Sequence, residues 1–132
     1  MITLLADHNV EGHARLLLGA LQALGWVELL DLRIANFAEL GLAANSSDRV
    51  VWRRAQESGM FLLTDNRNHD GPDSLEQTLL EESSPASLPV LTISDATRLR
   101  TDRLYRIACA ERVVEIIIDL DRYAGIPRLY IP

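Results

Sequence analysis

A chain of 132 residues that is 48% hydrophobic and 24% charged has the apolar material for one buried core and too little length for a second, and that balance excludes disorder as its main state. Its net charge is −6 and every cation is arginine, so the average surface repels nucleic acid and anionic membrane, and a polyanion partner needs a local exception. The single Cys109 excludes a disulfide framework and a thiolate zinc site, and it points to a reducing, cytoplasmic setting.

The opening "MITLLADHNV" has no basic start and reaches Asp7 early, so no signal peptide is expected. "ITLLA" at 2–6 is an unbroken apolar run of strand length, the pattern of a strand covered on both faces. Residues 10–24 place Val10, Ala14, Leu17, Leu18, Leu21 and Leu24 on a helical stripe that Gly25 ends. "VELLDL" at 27–32 reads as a weaker second strand, and "NFAEL" as a short helical turn closed by Gly41. "NSSDRVVWRRAQESG" carries an N-cap cluster, a helical body and Gly59 as its stop. "MFLLT" at 60–64 is the third strand.

Pro72 suits a first helical turn, which predicts a helix over 72–82. "SSPASLP" is a connector, "VLTI" at 90–93 a fourth strand, and residues 100–123 one long helix with Leu104, Ile107, Ala108, Val114 and Ile118 on a common side. "RLYI" at 128–131 is the fifth strand. The longest apolar runs are too short and too charged to span a bilayer. Five strands separated by helices predict a single α/β domain over 1–132, a three-layer α/β/α fold with a mostly parallel five-stranded sheet.

In such a sheet the ligand crevice opens at the carboxyl ends of the strands where the winding reverses, commonly between strands 1 and 3. Those strands end in Asp7 and Asp65, and neighbouring strands lie about 4.8 Å apart. Two carboxylates so close repel unless a proton or a cation stands between them. A divalent ion resolves that conflict, and Mg²⁺ or Mn²⁺ takes oxygen ligands with one or two direct carboxylates. Asp48, at a helix start, and Asp70, near the mouth of the Pro72 helix, extend the acidic set.

The stretches "LLADHNV", "FAELGLAANSSDRVVWRRA" and "GMFLLTDNRNHD" resemble the PIN-like domains, in particular their small stand-alone branch. The resemblance runs over roughly residues 2 to 95 through the order and spacing of short motifs. It implies a PIN-like fold and a metal-dependent nuclease that cuts RNA, in many relatives as the toxin of a toxin–antitoxin pair. Residue by residue, Asp7 matches the acid that ends strand 1, Asp48 the one that opens the central helix, and Asp65 the one after the third strand, with Asp70 a looser match. The chain carries Arg67 and His8 where relatives often carry acids.

On that reading Asp7, Asp65 and Asp48 hold Mg²⁺ or Mn²⁺, with Asp70 completing the catalytic set for attack of water on a phosphodiester. Asn9, Asn66, Arg67 and His69 are the substrate contacts, Arg67 being best shaped for phosphate. RNA, an antitoxin protein and a second copy of the chain are the partners implied. Arg98, Arg100, Arg103 and Arg106 form either a phosphate track or a solvated helix face.

Each residue also has a structural explanation. Asp7 and Asp70 suit helix caps, Asp48 suits a first helical turn facing the dipole, and Asp65 suits a tight turn. Their joint position at one sheet edge is what those explanations leave over. The histidines have no metalloprotease spacing, Trp26 and Trp52 suit the core, and Asn9, Asn66 and Asn68 are turn formers first. Two other functions fit the same residues. One is a PIN-like module without activity that binds or assembles. The other is a receiver-like signalling domain, which the absence of lysine counts against because such domains use a lysine to hold their phosphoryl group.

Overall fold

The computed structural model describes residues 1–132. Strands β1 (Ile2–Ala6), β2 (Leu32–Ala35), β3 (Phe61–Thr64), β4 (Val90–Ile93) and β5 (Arg128–Ile131) form one sheet in the order β2-β1-β3-β4-β5. All four pairings are parallel. The helices are α1 (Glu11–Ala23), α2 (Trp26–Leu29), α3 (Asp48–Glu57), α4 (Leu75–Glu82), α5 (Ala96–Thr101) and α6 (Arg103–Ile118). The result is the three-layer α/β/α architecture read from the sequence.

The strand pleat divides the core in two. Leu4, Phe61, Leu63, Leu91 and Ile93 point into a cluster with α1, α5 and α6, while Leu5, Leu62 and Val90 point the other way and pack with α3 and α4. Alternation with period two explains why β1, β3 and β4 read as unbroken apolar runs, since both faces are covered. A fully buried leucine such as Leu63 stabilises the fold by about 1.5–3 kcal/mol.

Four elements differ from the sequence reading. The second strand is Leu32–Ala35, and "VELL" instead belongs to α2. As an edge strand β2 pairs on one side only, so exposed Arg33 interrupts its apolar pattern while the preceding residues mimic a strand. Pro72 stands outside any helix: α4 begins at Leu75, capped by Ser74, whose hydroxyl accepts the Gln77 N–H at 3.2 Å. The long carboxyl-terminal helix is broken at Asp102, which ends α5 and caps α6 by accepting the Leu104 and Tyr105 N–H groups at 3.1 and 3.2 Å. Finally, α6 buries Tyr105, Cys109, Val113 and Ile116, whereas Leu104 and Ile118 of the expected stripe face solvent. No helix is long and apolar enough to cross a membrane.

Candidate functional site

The winding reverses between β1 and β3, which are direct neighbours in the sheet, and the crevice of a doubly wound sheet opens at such a point. A cleft of about 90 Å³ opens there, on the α3 and α4 side of the sheet. Asp7, His8, Asn9, Ser46, Asp48 and Asn66 supply its polar lining, and Phe37, Val51, Leu62 and Leu75 close its apolar back.

Asp7 follows β1 directly, and its N–H continues the ladder to the Leu63 carbonyl at 2.9 Å. Its side chain makes no cap bond to the 3-10 turn His8–Val10 that follows. Instead the carboxylate accepts the Thr64 hydroxyl at 2.7 Å. Thr64, fully buried at the end of β3, accepts the Asn66 N–H in turn at 3.0 Å. Burial pushes the Asp7 carboxyl above its ordinary value, the Thr64 hydroxyl opposes that shift, and the charges of Asp48 and Asp65 add to it.

Asp48 opens α3 behind the Ser47 cap, whose hydroxyl accepts the Val50 N–H. One Asp48 oxygen accepts the Leu75 N–H at 3.0 Å, so the carboxylate sits at the amino ends of α3 and α4 together, where helix dipoles favour a negative charge. That contact realises the structural explanation for Asp48 while leaving it on the cleft wall.

The remaining sequence candidates lie outside the cleft. Asp65 is exposed at the end of β3, close enough to raise the Asp7 carboxyl but not part of the cleft lining. Asp70 and His69 are 90% and 79% exposed and stand 4.0 Å apart. Asp70 does not cap α4, because Ser74 does. Arg67 turns toward the far edge of the sheet, donating to the Ser94 carbonyl and lying 5.6 Å from the Tyr130 ring centroid. The loop runs outward through successive turns in which Asn66 accepts the Asn68 N–H and Asn68 accepts the Asp70 N–H. Of the eight candidates, then, Asp7, Asn9, Asp48 and Asn66 come together.

Two arginines that the sequence reading passed over hold this edge in place. Arg128 of β5, with a side chain only 7% exposed, donates to the Asn66 carbonyl at 2.6 Å, the Thr92 hydroxyl at 2.8 Å and Glu76 at 2.5 Å. Arg49 of α3 donates to Asp73, Glu82 and the Pro72 carbonyl at 3.0, 2.5 and 2.6 Å. An arginine in a short terminal strand carries no local signal of burial, and its partners lie on elements far along the chain.

Nowhere do three His, Cys, Asp or Glu side chains stand close enough to hold an ion together. The cleft donors are two carboxylates with amide and hydroxyl oxygens, and the His8 imidazole beside them. Hard ligands of this kind suit Mg²⁺ or Mn²⁺, which keep several waters and take one or two protein carboxylates, and a cleft of about 90 Å³ has room for an ion with part of its water shell. By donor chemistry the residues present fit such an ion, with Asp7 and Asp48 as its carboxylates. Comparisons with family models, with curated proteins and with solved structures find no match.

Proposed function

We propose that the chain is a PIN-like, Mg²⁺- or Mn²⁺-dependent ribonuclease that works in the cytoplasm. The observation that carries the reading is the Asp7 carboxyl, raised by burial and by Asp48 and Asp65, on the wall of a cleft at the sheet's winding reversal that Asp48 and the side chains of Asn9, Ser46 and Asn66 share. A negative charge held against burial and like charges is one that a cation relieves. The PIN-like motifs around Asp7, Asp48 and Asp65 support the same chemistry.

Asp7 and Asp48 would hold the ion, and Asp65 would lend its charge from the rim. A bound divalent ion supplies a water of lowered pKa and offsets charge on the phosphodiester oxygens. Thr64 orients Asp7 through its hydroxyl, and the Leu75 N–H fixes one oxygen of Asp48. Asn9 and Asn66 offer amide groups to the ribose or phosphate of RNA, while Arg67 and His69 would reach substrate only from the outer loop. The biological setting that the motifs imply is the toxin of a toxin–antitoxin pair, which a neighbouring antitoxin gene would support.

A second reading, a PIN-like binding module without activity, is favoured by the lack of three converging acids and by Arg67 being engaged at Ser94. Thermal melting with and without Mn²⁺, run beside cleavage of labelled RNA, separates the two. An active enzyme gains about 2.7 kcal/mol of stability when the ion is at a hundred times its Kd and cleaves RNA only when the ion is present. Neither gain nor cleavage in millimolar Mn²⁺ would leave the binding module.

A further inference from the structure

Two rings stand at the cleft, those of His8 and Phe37. Phe37 is only 3% exposed and belongs to the core behind the cleft, whereas the His8 side chain is 47% exposed. The His8 ring rests against Phe37, with centroids 5.8 Å apart and planes inclined at 38°. Glu11 sets a carboxylate oxygen 3.5 Å from His8 Nδ1. The imidazole is thus held by two neighbours while nearly half of it stays open, so a ligand that lies on it immobilises little that was free.

The rest of the lining shows what else the cleft offers to RNA. No arginine lines it, and its acids are Asp7 and Asp48, in a chain that carries −6 overall. Contacts to phosphate, the usual source of affinity for nucleic acid, therefore come down to the bound cation. A cleft of about 90 Å³ takes that ion and part of its water shell, with no room for a nucleobase beside them. The base has to lie outside, across the open ring that bounds the cleft.

We propose that His8 is a stacking platform, on which the base next to the phosphate held at Asp7 and Asp48 lies flat. His8 directly follows Asp7 and opens the 3-10 turn His8–Val10, so the ring and the ion site face adjoining parts of one strand. Stacking uses the flat surface of the ring, whichever of its nitrogens holds a proton. It needs no positive charge on the protein and accepts any base that is free of a partner strand. The proposal rests on the ion and the RNA of the ribonuclease reading, and not on the cleavage step.

Short single-stranded RNAs with 2-aminopurine at each position in turn test it, with Ca²⁺ replacing Mn²⁺ so that quenched fluorescence reads stacking; cleavage in Mn²⁺ then gives KM and kcat. His8→Ala, and His8→Gln, which keeps a polar group without a ring, should weaken binding and raise KM about fivefold or more, the loss of one base stack. The change in kcat should be far smaller, and His8→Phe should bind within about twofold of wild type because it restores the ring. An abasic nucleotide at the quenched position should erase the difference between wild type and His8→Ala. If wild type cleaves RNA and KM is unmoved in His8→Ala, or His8→Phe is as weak as His8→Ala, the platform is overturned and the ribonuclease reading stands. Quenching that depends on His8 in a chain that never cleaves keeps the platform and sinks the ribonuclease. A wild type that quenches at no position overturns the platform outright.

Discussion

Thr64 donates its hydroxyl to the Asp7 carboxylate at 2.7 Å, across the junction of two neighbouring parallel strands. The same oxygen receives the Asn66 N–H at 3.0 Å, so one buried hydroxyl links the end of β1, the end of β3 and the loop beyond it. Thr64→Val keeps the shape and removes both contacts, leaving the partly buried Asp7 carboxylate without its hydroxyl donor and the Asn66 amide without its acceptor. It should cost about 1–3 kcal/mol, read as a lower urea midpoint with an unchanged slope. Thr64→Ser, which keeps the hydroxyl, should lose less than half as much. Equal losses for the two variants would mean that the methyl group, not the bond, matters.

The Asp7 carboxyl gives a pH signature. Burial first, then the charges of Asp48 and Asp65, raise it above the ordinary 3.8 against the pull of Thr64. A carboxyl raised in the folded state holds its proton more tightly folded than unfolded. No stability is therefore lost below 3.8, and stability falls as pH rises through the folded value. Asp7→Asn keeps an oxygen to accept from Thr64 and carries no charge. Without metal it should melt above wild type at neutral pH and converge with it near about pH 3, below both values. Saturating Mn²⁺ should reverse the neutral-pH order, and RNA cleavage should vanish. A variant that melts below wild type at neutral pH without metal would show that the Asp7 charge supports the fold.

How the sequence foretold this edge follows from burial. Strands covered on both faces must be apolar throughout, so β1, β3 and β4 stood out, and the residues that end them followed by counting. Asp48 was legible because a helix start announces itself through Ser47. Edge strand β2 was not, since Arg33 faces water and Val27–Leu30 carries as many apolar residues as Leu32–Ala35. The break at Asp102 was hidden because apolar periodicity continues across it, and only the cap bonds to Leu104 and Tyr105 stop the helix. Asp65 ends β3 as counted, but its side chain faces water, and Asp70 was placed by chain distance, which says nothing about a loop that turns outward under its own asparagine bonds.

Asp48 acts as a cap for a helix it does not belong to. Its oxygen accepts the Leu75 N–H at 3.0 Å, joining α3 to α4 at the cleft wall. Asp48→Ala should cost about 0.5–2 kcal/mol, the range for losing a helix-capping acceptor, and should speed hydrogen exchange of the Leu75 amide more than that of amides in the middle of α4. Asp48→Asn should retain most of the stability while losing any Mn²⁺-dependent gain. Unchanged exchange at Leu75 in the alanine variant would remove the capping role.

Arg128 sets the largest of these effects because its donors serve three elements at once. Its guanidinium meets the Asn66 carbonyl at 2.6 Å, the Thr92 hydroxyl at 2.8 Å and Glu76 at 2.5 Å, and its side chain is 7% exposed against 41% for Glu76. Removing one partner of a fully buried ion pair costs about 3–5 kcal/mol. Here Glu76 can turn to water, so Arg128→Met should cost about 2–3 kcal/mol, mostly from the carbonyl and hydroxyl left without a donor. Glu76→Gln alone should cost less than 1 kcal/mol. In a double-mutant cycle the pair should show coupling of roughly 0.5–3 kcal/mol. Because the Asn66 carbonyl is freed, Arg128→Met should also speed amide exchange from Asn66 to Asn68 beyond the change seen in β5. If urea unfolding places Arg128→Met within about 0.5 kcal/mol of wild type, as surface substitutions are, the guanidinium does not hold the cleft loop.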